Sequence, residues 1–261
     1  MDSALWVAKT GLDAQQTRMN TISNNLANSN TTGFKRDRAA FEDLMYQNQR
    51  QVGAQTTQET QLPSGLSLGT GVRTVSTEKL FTQGNMTQTD NDLDIAIEGR
   101  GFFEVRMPDG TQAYTRDGSF QRDSEGRMVT SSGYELEPGI TIPEEADGLT
   151  IGSDGTVSAS VPGQSEDIQL GEIQLVDFIN PGGLEARGEN LFVESPSSGP
   201  PQVGTPGFDG LGQLQQGMLE GSNVNVVEEL VDMIETQRGY EINSKAIESV
   251  DEMLQFTNQS L

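Results

Sequence analysis

The chain has 261 residues, of which 33% are hydrophobic, and its formal net charge at pH 7 is -23. It contains no cysteine and no histidine, which excludes disulfides, thiolate chemistry, imidazole bases and the catalytic triads built on them. The acidic balance argues against nucleic acid as a partner, and no apolar run approaches the roughly 20 residues of a membrane span. We therefore expect an elongated protein with much exposed surface, without a cofactor, a metal ion or direct lipid insertion.

The first predicted element is a helix that reaches to about Ala27. Its apolar positions are separated alternately by three and four residues, which is the pattern of a heptad seam. We expect Ser3 to be the N-cap and Gly33 to end the segment in a left-handed conformation. The residues of this predicted assembly seam are Leu5, Leu12, Met19, Ile22 and Leu26.

The helix is followed by a stretch rich in asparagine, NNLANSNTTGFK, over residues 24–35. Asparagine is a mediocre helix former because its amide competes for backbone hydrogen bonds. Asn24 and Asn28 are four residues apart, so we expect their amides to line one face of the helix end. A buried amide that must find its partner fixes the register of an apolar seam. Simple termination of the helix is the alternative interpretation.

The middle of the chain has two parts of different composition. Residues 47–74 are nearly uncharged and rich in Gln, Thr and Gly, and so long a segment without predicted structure is either disordered or functional. Beyond it, apolar residues alternate with polar ones at Leu93, Ile95 and Ile97 and again from Phe103, and closely spaced turn signals follow. This pattern predicts antiparallel hairpins. Residues 76–220 carry seven Lys or Arg and 25 Asp or Glu, so we expect this part to face water.

The last predicted element is a helix of about 33 residues, which would span ~50 Å. Asn225 precedes Glu228 by three residues, which is an asparagine version of the capping box. Two apolar stripes follow, and the second is shifted in phase across the turn that contains Gly239. The predicted assembly seam of this helix consists of Val227, Leu230, Ile234, Ile247, Val250 and Leu254.

These elements predict an α+β fold, with the N- and C-terminal helices paired as an elongated coiled coil and a mainly antiparallel β-rich domain between them. Residues 1–32 and 222–261 form the predicted helix pair. Residues 33–78 and 208–221 form a connecting segment with the long Gln/Thr/Gly-rich loop, and residues 79–207 form the β-rich domain. Each apolar stripe is narrow, so we expect the helices to require neighbours for their stability.

Four candidate sites for chemistry are weak. Asp90, Asp92 and Asp94 have the spacing of a calcium loop, but Ile95 stands where the loop needs glycine, so a charged turn before a strand is favoured. Gly99-Arg100-Gly101 lacks the third glycine of a dinucleotide fingerprint, which favours a bulge or hairpin. Nothing singles out a pair among the 39 carboxylates for glycoside hydrolysis. Trp6 and Met19 are interpreted as packing residues.

Several motifs resemble one family along nearly the whole chain. NNLANSNTTGFKR resembles the N-terminal signature of bacterial flagellar axial proteins, the rod and hook family. EELVDMIETQRGYEINSKAI resembles the closing helix of that family, and GFFEV followed by YTRDGSF resembles its β domain. The segments MDSALWVAKTGLDAQQ, FEDLMYQ and LPSGLSLGTGVR are similar to rod members in particular. The motif residues singled out are Asn24, Asn25, Asn28, Gly33, Phe34, Gln237, Arg238, Tyr240 and Asn243.

The resemblance implies a structural protein without catalysis. It implies that the helix pair is an inner core domain, that the β domain lies outside, and that copies stack helically into a tube that transmits torque. The implied partners are further copies of the chain, proximal rod proteins, the hook protein, the peptidoglycan and outer-membrane bushing rings, a rod-capping protein and the type III export apparatus. The implied location is the basal body, crossing the periplasm and outer membrane, after export without a cleaved signal peptide.

Three other interpretations remain open from the residues. Within the family, the chain could instead be a hook protein or a proximal rod protein. A secreted β-rich adhesin or carbohydrate-binding module would expose clustered aromatic residues, for which Tyr114, Phe120 and Tyr134 are the candidates. An acid-pair glycosidase would require a substrate that a screen could find.

Overall fold

A computed structural model describes residues 2–50, 64–162 and 167–259. It divides into two compact units. The first, here called the helical unit, consists of Met1–Leu26, Asp37–Glu78 and Val226–Leu261. The second, here called the β unit, consists of Ala27–Arg36 and Lys79–Asn225. Two long helices and a β-rich body confirm the α+β class.

The part of the helical unit that the structure describes contains two helices and four short strands. Helix α1 spans Asp2–Ala27 and helix α2 spans Val226–Gln259. Strand β1 pairs with β4, and β2 pairs antiparallel with β3, so the described ends of the uncharged segment 47–74 form ribbons where the sequence predicted no structure. Residues 51–63 of that segment lie outside the described residues. The strands are β1 Asp37–Asp43, β2 Gln47–Arg50, β3 Leu66–Leu68 and β4 Val72–Lys79.

The predicted helix limits are largely correct. Helix α1 ends at Ala27 as expected, and α2 begins directly after Asn225 and runs for 34 residues. The prediction that Ser3 caps α1 is wrong, because the helix already includes Asp2 and Ser3 is inside it. Gly33 has φ +68°, the left-handed conformation predicted for the end of this segment. Neither helix is long and apolar enough, within the part the structure describes, to cross a membrane.

In its described residues the β unit contains sixteen strands and one short 3-10 helix, Pro181–Gly183. Every pairing between its described strands is antiparallel, as predicted. The strands are β5 Met86–Gln88, β6 Ile95–Glu98, β7 Phe103–Arg106, β8 Gln112–Thr115, β9 Phe120–Arg122, β10 Met128–Thr130, β11 Glu135–Glu137, β12 Gly148–Ile151, β13 Thr156–Ser160, β14 Ile168–Glu172, β15 Leu175–Asp177, β16 Glu185–Gly188, β17 Leu191–Val193, β18 Gln202–Gly204, β19 Gln213–Gln216 and β20 Met218–Glu220.

These strands form one large sheet and several small ones. The large sheet has seven strands in the order β16-β17-β8-β7-β11-β10-β9. Strands β12, β13 and β14 form a three-stranded sheet, and the pairs β15 with β18, β19 with β6 and β20 with β5 are two-stranded. Two of these pairs bring residues 213–220 back against strands near the start of the β unit.

The core of the β unit is formed by two apolar clusters. The larger includes Ile95, Ile97, Phe103, Val105, Phe120 and Leu136. The second is aromatic and consists of Phe102, Tyr114, Val176, Phe178, Leu184 and Phe192, with Phe81 packed against it. The aromatic rings meet edge to face, the geometry that ring quadrupoles favour. Ala96 is also buried, so β6 is covered on both faces and not on one as its alternation predicted.

The three-part division of the chain stays a prediction. Residues 37–78 are grouped with the helices and residues 208–221 with the β unit. The limit between residues 78 and 79 coincides with a limit between the two units. Among the described strands, β1 to β4 pair with one another and not with strands of the β unit, which accounts for residues 37–78 forming one group.

Candidate functional site

The first candidate site is the surface along which α1 meets α2. Arg18 Nη2 donates a hydrogen bond to Asp232 Oδ1 at 3.2 Å, and both side chains are partly exposed. Ion pairs with this exposure contribute about 0.2–1 kcal/mol. The contact joins the second half of α1 to the first third of α2, as an antiparallel arrangement requires.

Two glycines bring the helices close together between this pair and the start of α1. A Cβ atom added at Gly11 would lie 3.0 Å from Asn243 Nδ2, and one at Gly239 would lie 3.0 Å from Gln15 Nε2. Each glycine therefore closely faces an amide side chain of the other helix, which would have to shift by a few tenths of an ångström to admit a larger residue. Asn243, a predicted motif residue, is part of this contact. Gly239 lies inside a continuous α2 and serves close approach.

A buried amide ties the end of α1 to both β1 and α2. Asn25 is only 1% exposed, and its Nδ2 donates to the Asp37 carbonyl at 2.9 Å and to Glu229 Oε1 at 3.2 Å. The Asp37 N–H donates back to Asn25 Oδ1 at 2.8 Å. Leaving such buried partners unsatisfied costs about 1–3 kcal/mol per group. Asn25 therefore has the geometry predicted for a register-fixing amide.

The two other predicted asparagines have different roles. Asn24 Nδ2 reaches Asp37 Oδ2 at 3.4 Å on the exposed side of the helix. Asn28 follows the last residue of α1, and its side chain accepts a hydrogen bond from Thr31 Oγ1 at 3.1 Å within the turn. The prediction that Asn24 and Asn28 share one helical face is wrong, because the helix ends between them.

The apolar seams differ between the two helices. On α1, Ile22 is buried and Leu5, Leu12, Met19 and Leu26 are half-buried. On α2, Val227 is 71% exposed, Leu230 43% and Ile234 51%, whereas Ile247 and Val250 are half-buried. The side chain of Leu254 lies outside the described residues. The first half of α2 thus meets α1 with polar residues such as Glu229 and Asp232, and its apolar stripe remains in solvent.

The remaining motif residues lie at two places. Gly33 and Phe34 are buried in the β unit, and Lys79 Nζ lies 5.1 Å from the centre of the Phe34 ring, a cation–π contact. A Cβ atom at Gly33 would lie 2.6 Å from the Asp117 backbone nitrogen. The other three motif residues, Gln237, Arg238 and Tyr240, are exposed on α2.

A buried ionic cluster in the β unit was missed by the sequence reasoning. Glu220 Oε1 lies 2.6 Å from Lys35 Nζ, and Glu220 Oε2 lies 3.3 Å from Arg116 Nη1. The Lys35 and Glu220 side chains are fully buried and that of Arg116 is 4% exposed. The basic pair at residues 35–36 was the only signal in the sequence, and it did not identify a partner 185 residues away.

Three family models match separate parts of the chain. A model described as "Flagella basal body rod protein" matches residues 5–35. The "Flagellar hook protein FlgE/F/G D1 domain" model matches residues 96–159. The "Flagellar basal body rod FlgEFG protein C-terminal" model matches residues 215–260. The first and third include the residues of the Asn25 contacts on α1 and α2.

Curated relatives match over nearly their full length. The chain is 58% identical over 259 residues to a flagellar basal-body rod protein FlgG from Buchnera aphidicola subsp. Schizaphis graminum, covering 99% of this chain and all of the relative. It is 50% identical to the protein of that name from Borreliella burgdorferi, covering 99% and 98% of the two chains. The FlgG of Bacillus subtilis is 39% identical, with 97% and 96% covered. The chain belongs to the flagellar basal-body rod protein family.

As a basal-body rod protein, the chain is a structural subunit and not an enzyme. The adhesin interpretation required its three candidate aromatic residues to be exposed together. Tyr114 and Phe120 are instead each 1% exposed within the core of the β unit. Tyr134 is half-buried and its hydroxyl donates to Glu189 Oε2 at 2.9 Å. Burial raises the pKa of Tyr114 to about 12, since it disfavours the phenolate.

Proposed function

We propose that the chain is the subunit of the distal rod, and that it assembles helically with copies of itself into a rigid hollow shaft that transmits torque to the hook and filament. The observation that carries this proposal is the full-length similarity to proteins named FlgG, at 58% and 50% identity. A FlgF protein from Caulobacter vibrioides is also similar, at 37% identity. The hook and the proximal rod are therefore the alternative positions within the same structure.

Assembly is proposed to use the exposed apolar stripe of α2. Val227, Leu230, Val231 and Ile234 follow the i, i+3, i+4, i+7 spacing of one helical face, and all four are exposed in the single chain. Burying apolar surface contributes about 25 cal/mol per Å², and a stripe of this kind is the usual source of helix association. We propose that further copies of α1 and α2 cover it and that the paired helices then form the predicted coiled coil.

The two helices are proposed to become fully ordered only upon assembly. Their described polar contacts with one another in the single chain are one partly exposed ion pair, two glycine–amide contacts and the Asn25 amide. Isolated helices are marginal in water, and their stability comes from packing of an apolar face. A chain whose main apolar helical face remains in solvent has not yet received that stabilisation.

The remaining partners are proposals as well. We propose proximal rod proteins and the hook protein as axial neighbours, and export through the type III apparatus with a rod-capping protein at the growing end. The bushing rings of peptidoglycan and outer membrane would surround the shaft. The excess of carboxylates within residues 76–220 would keep the β units hydrated and discourage adhesion to those rings. Neutralising exposed carboxylates of the β unit should then impair swimming, and unchanged swimming would favour a simple adaptation to salty surroundings.

The uncharged segment 47–74 is proposed to fill space between neighbouring subunits and to stiffen the shaft. Its described parts are exposed two-stranded ribbons, and a two-stranded ribbon is marginally stable alone in water. Deleting residues 52–69 should give filaments that bend or become polymorphic. Straight rods of normal rigidity from the deleted chain would contradict this role.

Electron microscopy of the purified chain at high concentration tests the proposed function. Straight hollow tubes are expected, whereas curved tubes would indicate a hook subunit and persistent monomers would contradict self-assembly. Leu230→Asp should abolish the tubes, because it places a charge in the apolar stripe. Ala246→Asp is the control, since position 246 is exposed and lies about 110° around the helix from the centre of the stripe. Equal loss of tubes in both variants would show that the stripe has no special role.

A further inference from the structure

The Glu220 carboxylate is a shared acceptor for three segments of the β unit that are far apart in sequence. It accepts a hydrogen bond from Lys35 Nζ at 2.6 Å, one from the Gly84 N–H at 2.8 Å and one from Arg116 Nη1 at 3.3 Å. The backbone of Glu220 also takes part, because its carbonyl accepts from the Gly33 N–H at 2.8 Å. A single residue therefore holds the segments 33–36 and 79–84 and the large sheet.

The basic partners extend the same connections. Lys35 Nζ also donates to the Thr82 carbonyl at 2.8 Å, which joins two of the segments directly. Arg116 Nη2 donates to the Gly99 carbonyl at 2.7 Å, and its guanidinium lies 5.4 Å from the centre of the Phe102 ring. Arg116 thereby anchors the cluster to the strands and to the aromatic core.

Asn223 joins the same segments a short distance along the chain. Its Oδ1 accepts from the Arg36 N–H at 2.8 Å, and its Nδ2 donates to the Leu80 carbonyl at 2.7 Å. The Leu80 N–H in turn donates to the Arg36 carbonyl at 3.0 Å. The β unit ends after Arg36, resumes at Lys79 and ends again after Asn225, so three of its four limits, all but the one at Ala27, lie next to these contacts.

The energetics of the cluster favour a role in alignment over a role in stability. Two buried cations share the Glu220 carboxylate, and burial lowers the pKa of both Lys35 and Arg116 although the Glu220 charge opposes the shift in each. The Arg116 Nε has no hydrogen-bond partner in the described part of the chain. Desolvation of buried ion pairs often exceeds their attraction, and apolar replacements are frequently as stable. Charged side chains can specify one pairing of segments, whereas apolar side chains pack against many neighbours.

We propose that Glu220, held between Lys35 and Arg116, is a positioning residue that fixes the register of residues 33–36, 79–84 and 218–223 against the large sheet. These are the segments through which the chain leaves and re-enters the β unit. A fixed register gives these three segments the same conformation in every copy, and a straight shaft requires identical subunits. The assembly consequence rests on the proposed function, whereas the register itself can be measured on the single chain.

Amide hydrogen exchange of the full-length monomer tests the register. In Glu220→Gln, exchange at residues 34–36 and at Gly84 should accelerate about 100-fold, the effect of removing one partner of a buried charge pair. In Lys35→Met, which leaves Glu220 paired with Arg116, exchange should accelerate at residues 34–36 and change little at Gly84. Glu98→Gln, the same substitution at an exposed strand position, is the control and should change neither.

A variant with all three charged residues replaced, Lys35→Met, Arg116→Leu and Glu220→Leu, separates alignment from stability. Its unfolding midpoint should lie within a few degrees of the original while exchange at residues 34–36 and 79–84 stays fast. If the triple variant has both the original unfolding midpoint and the original slow exchange at these residues, the cluster only fills space and the proposal is overturned. Slow exchange at residues 34–36 and Gly84 in Glu220→Gln would also overturn it. If the unsubstituted chain forms no tubes, the proposed function fails, and the exchange results still decide the register.

Discussion

Replacing Gly33 by alanine is the most informative single perturbation of the rod-family motif. Gly33 combines a left-handed backbone, with φ +68°, and close backbone neighbours. An added Cβ would lie 2.6 Å from the Asp117 nitrogen and 2.8 Å from the Arg116 carbonyl carbon. Both are backbone atoms, so neither can move aside as the end of a flexible side chain could.

The expected cost has two parts. A non-glycine residue in the left-handed region costs roughly 1–2 kcal/mol. Overpacking against atoms that cannot yield adds about 1–3 kcal/mol, so Gly33→Ala should lower the free energy of unfolding of the β unit by about 2–5 kcal/mol. Gly110→Ala is the matched control, because Gly110 has φ +81° and nothing lies within 4 Å of its added Cβ. Gly110→Ala should show only the cost of the left-handed backbone.

Equilibrium urea unfolding of both variants, followed by near-ultraviolet circular dichroism, measures the difference. The Gly33→Ala midpoint should fall clearly below that of Gly110→Ala, with the slope of the transition unchanged. Equal midpoints would refute the reasoning, because they would show that the tight contact with Asp117 relaxes at no cost.

Three further predictions concern other parts of the chain. Asn25→Ala should weaken assembled tubes against urea by about 2–3 kcal/mol, since buried groups of Asp37 and Glu229 lose their partner, while Asn24→Ala should change little. Glu104 lies opposite Glu137 on neighbouring strands, and burial and that charge raise its pKa. Its contribution to stability therefore falls as the pH rises through that raised pKa, so Glu104→Gln should stabilise the β unit by up to about 1 kcal/mol at pH 7, with the gain vanishing below about pH 4 in urea titrations. Arg106→Ala should remove the pair with Glu137 and leave Glu104 facing an unpaired carboxylate, which lowers the thermal midpoint at pH 7 more than at pH 4.

The sequence predicted what depends on local pattern. The end of α1 at Ala27, the left-handed Gly33 and the length of α2 all follow from capping, glycine and periodicity, which act over a few residues. The antiparallel hairpins follow from closely spaced turn signals for the same reason. The prediction that Ser3 caps α1 used the same kind of local rule. It was wrong because it depended on a single residue.

The sequence could not predict what depends on distant partners. Periodicity shows that α2 has an apolar stripe, but it does not tell whether α1 or another copy covers it, and the described side-chain hydrogen bonds from α1 to α2 go to Asp232 and Glu229 instead. Lys35, Arg116 and Glu220 are brought together across 185 residues by sheet pairing, and no spacing rule links them. Asn25 was among the predicted motif residues, but its partners Asp37 and Glu229 became visible only in the fold.

The most direct test of the account compares amide exchange of α1 and α2 in the monomer and in assembled tubes. Exchange should be fast through most of both helices in the monomer, and both helices should be strongly protected in the tubes, because assembly covers the stripe that begins at Val227. Strong protection of both helices in a monomer that forms no tubes would contradict it.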